Sequence, residues 1–553
     1  MKRKYVVNNT IYIVTLLFLV ITCTNVEKRK SRKEKADSLK QSSLLEWDKT
    51  IPGSFSNQKT LKFDSLALDQ FLSTYPLFSS YSSSMKQFYS KRQYTYAWYD
   101  QEGLIEQADN LADRMLHLRD EGLEKDIPYR EALDSLLHNY GHLGDDTLTD
   151  LELMLTAQYF VFAHMAWEGM DADASKKNEW FVTRKKVSYE DYLDSLLQKP
   201  LDSDDMAIEP VYRQYEKLRH YLLQYRKLEN REWPQLALDK KSIKPRDSST
   251  LLPQLRERLF LLGDYKDTVR QSTYYDSIFV KAVHLFQQRH GLADDGSIGP
   301  GTLTELNISP KARLRQIMVN MERCRWLPVD LSTDYLAVNI PEFKLHVYRD
   351  GQLDWDCNVV VGQAVHKTVI FSNQVKYVVF SPYWNVPPSI VRNEVVPGMK
   401  KNSNYIARHN MEITGNSGGL PVVRQKPGPN NSLGLVKFLF PNSYNIYLHD
   451  TPAKSLFSQD SRAFSHGCIR VSEPEKLANF LLRRDSTWTP EAIRATMHAG
   501  KEKYVTLNPT LPVFIAYFTA FIDKNGRLNF RKDIYKRDER LANMLLDSEK
   551  QGN

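Results

Sequence analysis

The sequence predicts a multidomain α+β protein: a helical N-terminal half, a small three-helix module, and a β-rich domain toward the C-terminus. Three observations lead there. The 553 residues exceed what one hydrophobic core sustains, so three or four domains are expected. Apolar residues recur at helix spacing as far as about residue 307, and from Tyr335 onward the period changes to two. A hydrophobic content of 42% and an aromatic content of 11% suit packed domains rather than disorder.

Charge is unevenly placed. Residues 1–35 hold nine Lys/Arg and two Glu, so most of the formal +8 sits there and the remaining chain is near neutral. No basic stripe is left to grip nucleic acid. Lys2-Arg3-Lys4 followed by the apolar run Ile11 to Thr22 reads as a signal segment, residues 1–23, with Cys23 a lipidation candidate. An uncleaved anchor is the alternative, although the run is short for a full span. Thr22 is a poor residue before a lipidated cysteine, and the cluster at 28–33 weakens a simple positive-inside anchor. Either way the bulk of the chain is expected to be exported. Residues 24–60, Ser/Lys/Asp/Gln-rich from 31, read as a flexible tether.

Residues 61–245 carry helical patterns. Leu104, Ala108, Leu111, Met115 and Leu118 share one face, with Gly122 as a C-cap. Leu151 to Trp167 is almost wholly apolar but includes Glu152, Gln158 and His164, which predicts a buried core helix and a core histidine. Residues 248–307 predict three short helices: one with Leu252, Leu255, Leu259 and Leu262 stopping at Gly263, one with Ile278, Phe279, Ala282, Val283 and Phe286 stopping at Gly291, and a third through Leu303 and Leu306. Residues 334–522 predict strands, with Asp350-Gly351 as a hairpin turn and 511–517 as a late strand closing the sheet. The Gly-, Pro- and Asn-rich stretch 397–434 reads as a long insertion, and 523–553 as a C-terminal tail.

Chemistry concentrates at Ser465-His466-Gly467-Cys468, with His449 upstream. A thiol is nucleophilic only as the thiolate, and a neighbouring imidazole can take its proton. Asn445 to His449 alternates as a half-buried strand, with Tyr447 and His449 on one face. An extended Ser465 to Val471 would put His466, Cys468 and Arg470 on a common face. Ser472-Glu473-Pro474-Glu475 reads as a capping box, which would set Cys468 just ahead of a helix N-terminus. The Gly467 and Cys468 N–H groups are candidates for an oxyanion hole. A zinc site is the competing reading, but no CxxC or HxxxH pair supplies further ligands, and neither metal nor cofactor is expected. Papain-like peptidases place the cysteine before the histidine; here the histidine comes first. Cys324 and Cys357 lack a histidine frame and read as inert.

His449, the loop 450–464 and Ser465-His466-Gly467-Cys468-Ile469-Arg470 resemble the catalytic motif of the L,D-transpeptidases, in the large, scaffold-bearing periplasmic branch. The flanks Ile446 to Pro452, Pro427-Gly428-Pro429-Asn430 and Val436-Lys437-Phe438 resemble it too. Arg470 stands where many members have Asn. Phe286-Gln287, His290-Gly291-Leu292 and Asp295-Gly296 with Ile298-Gly299 resemble a peptidoglycan-binding module. The resemblance implies a helical scaffold domain, a β-rich catalytic domain whose 397–434 insertion caps the substrate, and an envelope protein in the periplasm. It implies Cys468 as nucleophile, His449 as proton acceptor and donor, and peptidoglycan stem peptides as the partner. The Asp450 carbonyl would orient His449. Tyr447, Ser465, His466 and Arg470 are substrate-binding candidates, Arg470 for a stem carboxylate. Membrane contact is expected only through the N-terminal segment. Hydrolysis of the same acyl-enzyme, or wall binding without catalysis, are the alternatives.

Overall fold

Eight strands close on themselves around the apolar residues that alternate from Tyr335 onward. The computed structural model describes residues 62–99, 103–138, 145–198, 210–328 and 333–546. The expected signal segment, Cys23 and the tether to residue 60 lie outside them. No helix among the described residues is long and apolar enough to cross a membrane.

The chain divides into two units. The first, residues up to 115 with 128–159 and 189–216, is helical. Its centre is the carboxyl of Glu152, fully buried, accepting from the Ala97 and Trp98 N–H groups and the Tyr89 hydroxyl. The expected core helix is present as Asp145–Phe162, continued by a wider turn at Ala163–Glu168. Residues 151–163 are buried all round the helix, whereas His164, expected in the core, begins the wider turn, is exposed and pairs with Glu168.

The second unit holds residues 116–127, 160–188 and 217 onward, so part of the stretch read as scaffold groups with the β domain. The three-helix module forms as expected, with helices Leu252–Leu261, Ser277–Arg289 and Pro300–Asn307 around Leu255, Leu259, Phe279, Val283, Phe286 and Leu306. Ile278, the second residue of its helix, is 52% exposed, off the buried face of Phe279, Ala282, Val283 and Phe286.

The strands are β1 (Trp180–Phe181), β2 (Tyr335–Asn339), β3 (Lys344–Arg349), β4 (Gln352–Gly362), β5 (Ile370–Phe380), β6 (Trp384–Asn385), β7 (Met411–Ser417), β8 (Leu420–Gln425), β9 (Val436–Leu439), β10 (Leu448–His449), β11 (Ala463–Ser465), β12 (Ile469–Val471), β13 (Lys503–Ala516), β14 (Ala520–Ile522) and β15 (Leu528–Phe530). The ring runs β5-β13-β2-β3-β4-β12-β10-β9, and β9 returns to β5. The Asp350-Gly351 turn joins β3 to β4 with both residues at positive φ (47° and 73°), the twist-matched hairpin geometry. The late strand is part of β13, seated between β5 and β2, and it completes the closure. The short β1 adds in parallel to β5 at Ile370 and Phe371, where β9 no longer reaches.

Two expectations are corrected. The insertion starts earlier and is ordered: β6 pairs β8, β7 and β8 form a hairpin, and Val386, Ile390, Val391, Val395 and Val423 make a small core of their own. The density of Gly, Pro and Asn hid that apolar spacing. Residues 523–546 are not a tail. They supply β15 and the helix Asp538–Leu546, whose Asp538 accepts from Arg323 at 2.7 Å and from the Thr519 hydroxyl at 2.6 Å. Those partners lie far away in sequence, which local pattern cannot reveal.

Candidate active site

The parallel pairing of β10 with β12 sets Leu448 opposite Ile469 and His449 opposite Arg470. The Ile469 N–H donates to the Tyr447 carbonyl at 3.1 Å, extending that ladder back by a residue. Tyr447 and His449 then share a face, with Arg470 opposite His449 and Cys468 at the residue before β12. Burial agrees: Ile446, Leu448, Gly467, Ile469 and Val471 are all buried, while Cys468 and Arg470 are half-buried. His449 is the exception on the outer face, buried beneath its neighbours.

The motif is not continuously extended. β11 ends at Ser465, and residues 466–468 bend before β12 begins. Gly467 takes φ +114°, a region L side chains rarely adopt, so glycine is required there by backbone conformation. Ser465 braces the bend, its hydroxyl donating to the Cys468 carbonyl at 2.5 Å and accepting from the Gly467 N–H at 3.1 Å. Thr368 holds the other side, donating to the Gly467 carbonyl at 2.8 Å. The Gly467 N–H, expected to face an oxyanion, is therefore engaged by Ser465. The expected capping box is not formed either. Glu473 is the N-cap residue of the helix Pro474–Leu482, without a side-chain cap bond, and β12 separates that helix from Cys468. Ser472 is engaged elsewhere instead, its N–H with the Asn358 carbonyl and its hydroxyl with the Cys357 thiol.

His449 carries the clearest electrostatic signature. Its Nδ1 lies 2.5 Å from the Asp450 carbonyl oxygen, which fixes the proton on Nδ1 and leaves Nε2 with its lone pair. Burial first, and then the Arg470 charge and Lys437, pull its pKa down to about 3. Lys437 faces it across the antiparallel β9–β10 pair, so a cation flanks the imidazole on each side. Burial pushes the Cys468 thiol up, against hydrogen bonds from Tyr447 and the charge of Arg470. Both shifts favour the uncharged form, of the thiol and of the imidazole. Tyr447 also meets the His449 ring edge-on, centroids 5.7 Å apart.

Asp450 orders the chain on both sides of β10. Its carboxylate accepts from the Leu435 N–H at 2.8 Å, the Thr451 N–H at 2.7 Å and Lys454 at 2.5 Å. Gly434, at φ +62°, sits so close to that carboxylate that any side chain there would displace it. His466 is exposed, 3.5 Å from Glu394 of the insertion and tilted against His366 with centroids 5.0 Å apart. Arg470 keeps its Nε buried without a partner. Lys437, Glu394, His366 and Thr368 were not singled out from sequence. Their relevance comes from strand register and loop packing, and the only local trace was Lys437 within the strand Val436-Lys437-Phe438. Cys324 and Cys357 are buried and unpaired, with burial raising both thiols, Cys357 to about 11.

Residues 333–496, which hold His449 and Cys468, match the L,D-transpeptidase catalytic domain model. Residues 83–222 match the scaffold domain model and 248–306 the peptidoglycan binding domain model. A curated Haemophilus influenzae protein whose name places it among the L,D-transpeptidases is 35% identical over 256 residues, 43% of this chain. The chain spans about half the length of that relative, 50%. Among solved structures, an L,D-transpeptidase from Xylanimonas cellulosilytica is 15% identical, covering 51% of this chain and 100% of its own, with a TM-score of 0.17. One from Stackebrandtia nassauensis is 16% identical, covering 45% and 90%, with a TM-score of 0.21. Scores this low carry no weight for the fold.

Proposed function

We propose that the protein is a peptidoglycan L,D-transpeptidase of the bacterial envelope, acting in the periplasm. The observation that carries this reading is His449 on β10, its tautomer set by the Asp450 carbonyl, paired in register with β12, which Cys468 immediately precedes. A neutral Nε2 is a competent base, and the thiol is spared as a reactive thiolate until substrate arrives. His449 takes the Cys468 proton as the sulfur attacks the carbonyl of the third stem residue. The oxyanion is met by the Cys468 N–H. As the tetrahedral intermediate collapses, the bond to the terminal D-alanine breaks, and its amine leaves with the proton from the imidazolium. An amine of a neighbouring stem then attacks the thioester, gives its proton to His449, and releases the thiol with a 3→3 cross-link formed.

Arg470 supplies a cation for a stem carboxylate, a task suited to guanidinium. Tyr447 and Ser465 shape the bend around the sulfur. The insertion from residue 384 caps the site, and its Glu394 contact with His466 is the point where that cap touches the motif. The module at 248–307 holds wall polymer, and the N-terminal segment provides the attachment to a membrane.

Incubation of the purified protein with a carbapenem, read by intact mass, tests the reading. One adduct is expected, mapping to Cys468. No adduct, or one on Cys324 or Cys357, overturns it.

A further inference from the structure

The loop that leads into the candidate site carries an aromatic surface that the chemistry above does not use. Tyr444, 40% exposed, stacks on Phe181, 42% exposed, with centroids 5.9 Å apart and planes 29° from parallel. Behind it Phe371 is buried, its ring 5.1 Å from Tyr444. Phe181 and Phe371 are register partners in the β1–β5 pair, so the three rings form one shelf rather than scattered contacts.

The shelf is held rigidly. Period-two alternation in β1 buries Trp180 against Trp326 and Phe518, with centroids 5.7 and 5.9 Å away, and turns Phe181 outward. On the other side Asn442 accepts from the N–H of Tyr444 at 3.0 Å and of Ile446 at 3.2 Å, and donates to the Ile446 carbonyl at 2.8 Å. That turn fixes Tyr444 relative to Asn445, whose carbonyl is 3.4 Å from the Cys468 sulfur. Just past that strand pair the Ser372 and Thr183 hydroxyls are bonded to each other at 3.2 Å. Exposed aromatic residues are ordinary when single. Two stacked and preorganised beside a catalytic candidate mark a ligand surface.

We infer that Phe181 and Tyr444 form a sugar-binding subsite that takes a hexosamine ring of the glycan strand attached to the donor stem. This rests on the transpeptidase reading and names a further part of its substrate. A pyranose presents a flat face of C–H bonds that packs on an aromatic ring, with hydroxyls at its edge for neighbouring polar groups. Length supports the assignment. Three extended stem residues span roughly 10 Å at about 3.3–3.6 Å each. Tyr444 is the residue before Asn445, whose carbonyl lies 3.4 Å from the sulfur, so the shelf falls within the reach of such a stem, on the order of 10 Å. A stem with its third carbonyl at Cys468 is long enough to bring its sugar to the shelf.

The test compares two donors that differ only in the sugar: a free tetrapeptide and the same tetrapeptide on an N-acetylglucosaminyl–N-acetylmuramyl disaccharide. Phe181→Ala and Tyr444→Ala should raise KM for the disaccharide donor about five- to tenfold. Turnover of the free tetrapeptide and acylation by a carbapenem should stay within about twofold. Tyr444→Phe, which keeps the ring, should behave as wild type. Equal losses on both donors would make the rings a structural support and overturn the subsite, as would no loss on either. A wild-type protein acylated by neither donor nor the drug removes the transpeptidase reading and the subsite with it.

Discussion

His449 and Arg470 are direct register partners in the parallel β10–β12 pair, so the imidazole sits beside a guanidinium and not beside a carboxylate. Many catalytic histidines are oriented by an acid that raises their pKa. Here the orienting group is a neutral carbonyl, and burial together with the flanking cations keeps the ring uncharged.

Replacing His449 with Ala should reduce thiol acylation at neutral pH by about 10²–10⁴-fold, the usual worth of a positioned base. Part of the rate should return as pH rises and Cys468 ionises unaided. His466→Ala should retain measurable acylation. Stopped-flow measurement across pH with a chromogenic β-lactam separates the two, and the opposite ranking would transfer the base role to His466.

Removing a neighbouring cation should move the acid limb of the reaction. Arg470→Gln takes away a charge that holds His449 down, so the imidazole would protonate at higher pH and the lower limb of kcat/KM would shift upward. Burial, the larger cause, remains, so the limb should stop short of an exposed histidine's value. An unchanged profile would show that Arg470 does not act on His449.

Stability should respond to the same group. His449 stays neutral in the folded chain down to about pH 3, whereas an exposed histidine gains its proton near 6.5. In that window the unfolded chain binds more protons, so this histidine's contribution lowers stability as pH falls from 6.5 toward 3. Denaturant titrations of the wild type and His449→Gln should diverge in slope against pH across that interval, the wild type being the steeper.

Glu152 gives the opposite sign in the helical unit. Burial pushes its carboxyl up to about 7, against the hydrogen bonds from Ala97, Tyr89 and Trp98 that favour the anion. Between about 4.5 and 7 the folded unit holds a proton that the unfolded chain has released, so its contribution lowers stability as pH rises through that range. Glu152→Gln should abolish this slope. It should also cost about 1–3 kcal/mol, because one amide oxygen cannot serve two backbone donors and a hydroxyl.

The fold class and the motif were legible because each is written locally. Alternation in Leu336, Val338 and Ile340 marks a strand wherever it sits, and Cys468 beside His466 is contiguous in sequence. What the pattern could not carry was register. The cation pair around His449 needs Lys437, His449 and Arg470 on three adjacent strands, and no local rule aligns them. The bend at 466–468 escaped for a different reason, since glycine permits positive φ without requiring it. Residues 523–546 carry apolar residues such as Leu528, Phe530 and Leu541, but too short a pattern to show locally what they pack against. Their fold depends on Arg323, Thr519 and the module residue His290, whose ring stacks on Phe530 with centroids 5.6 Å apart.

That last contact, with the strand β1, bears on what can be cut from this protein. A fragment trimmed to residues 334–522 would lose β1 from the flank of β5 and would leave Ile370 and Phe371 with open main-chain donors and acceptors. It would also lose Phe530, the Asp538 helix and the helix Pro310–Arg325 whose Arg323 pairs with Asp538. Bare sheet margins invite pairing between molecules. The smallest piece that behaves as a monomer must therefore include sequence from both sides of the matched catalytic region, and a clone drawn by sequence similarity alone would be expected to aggregate.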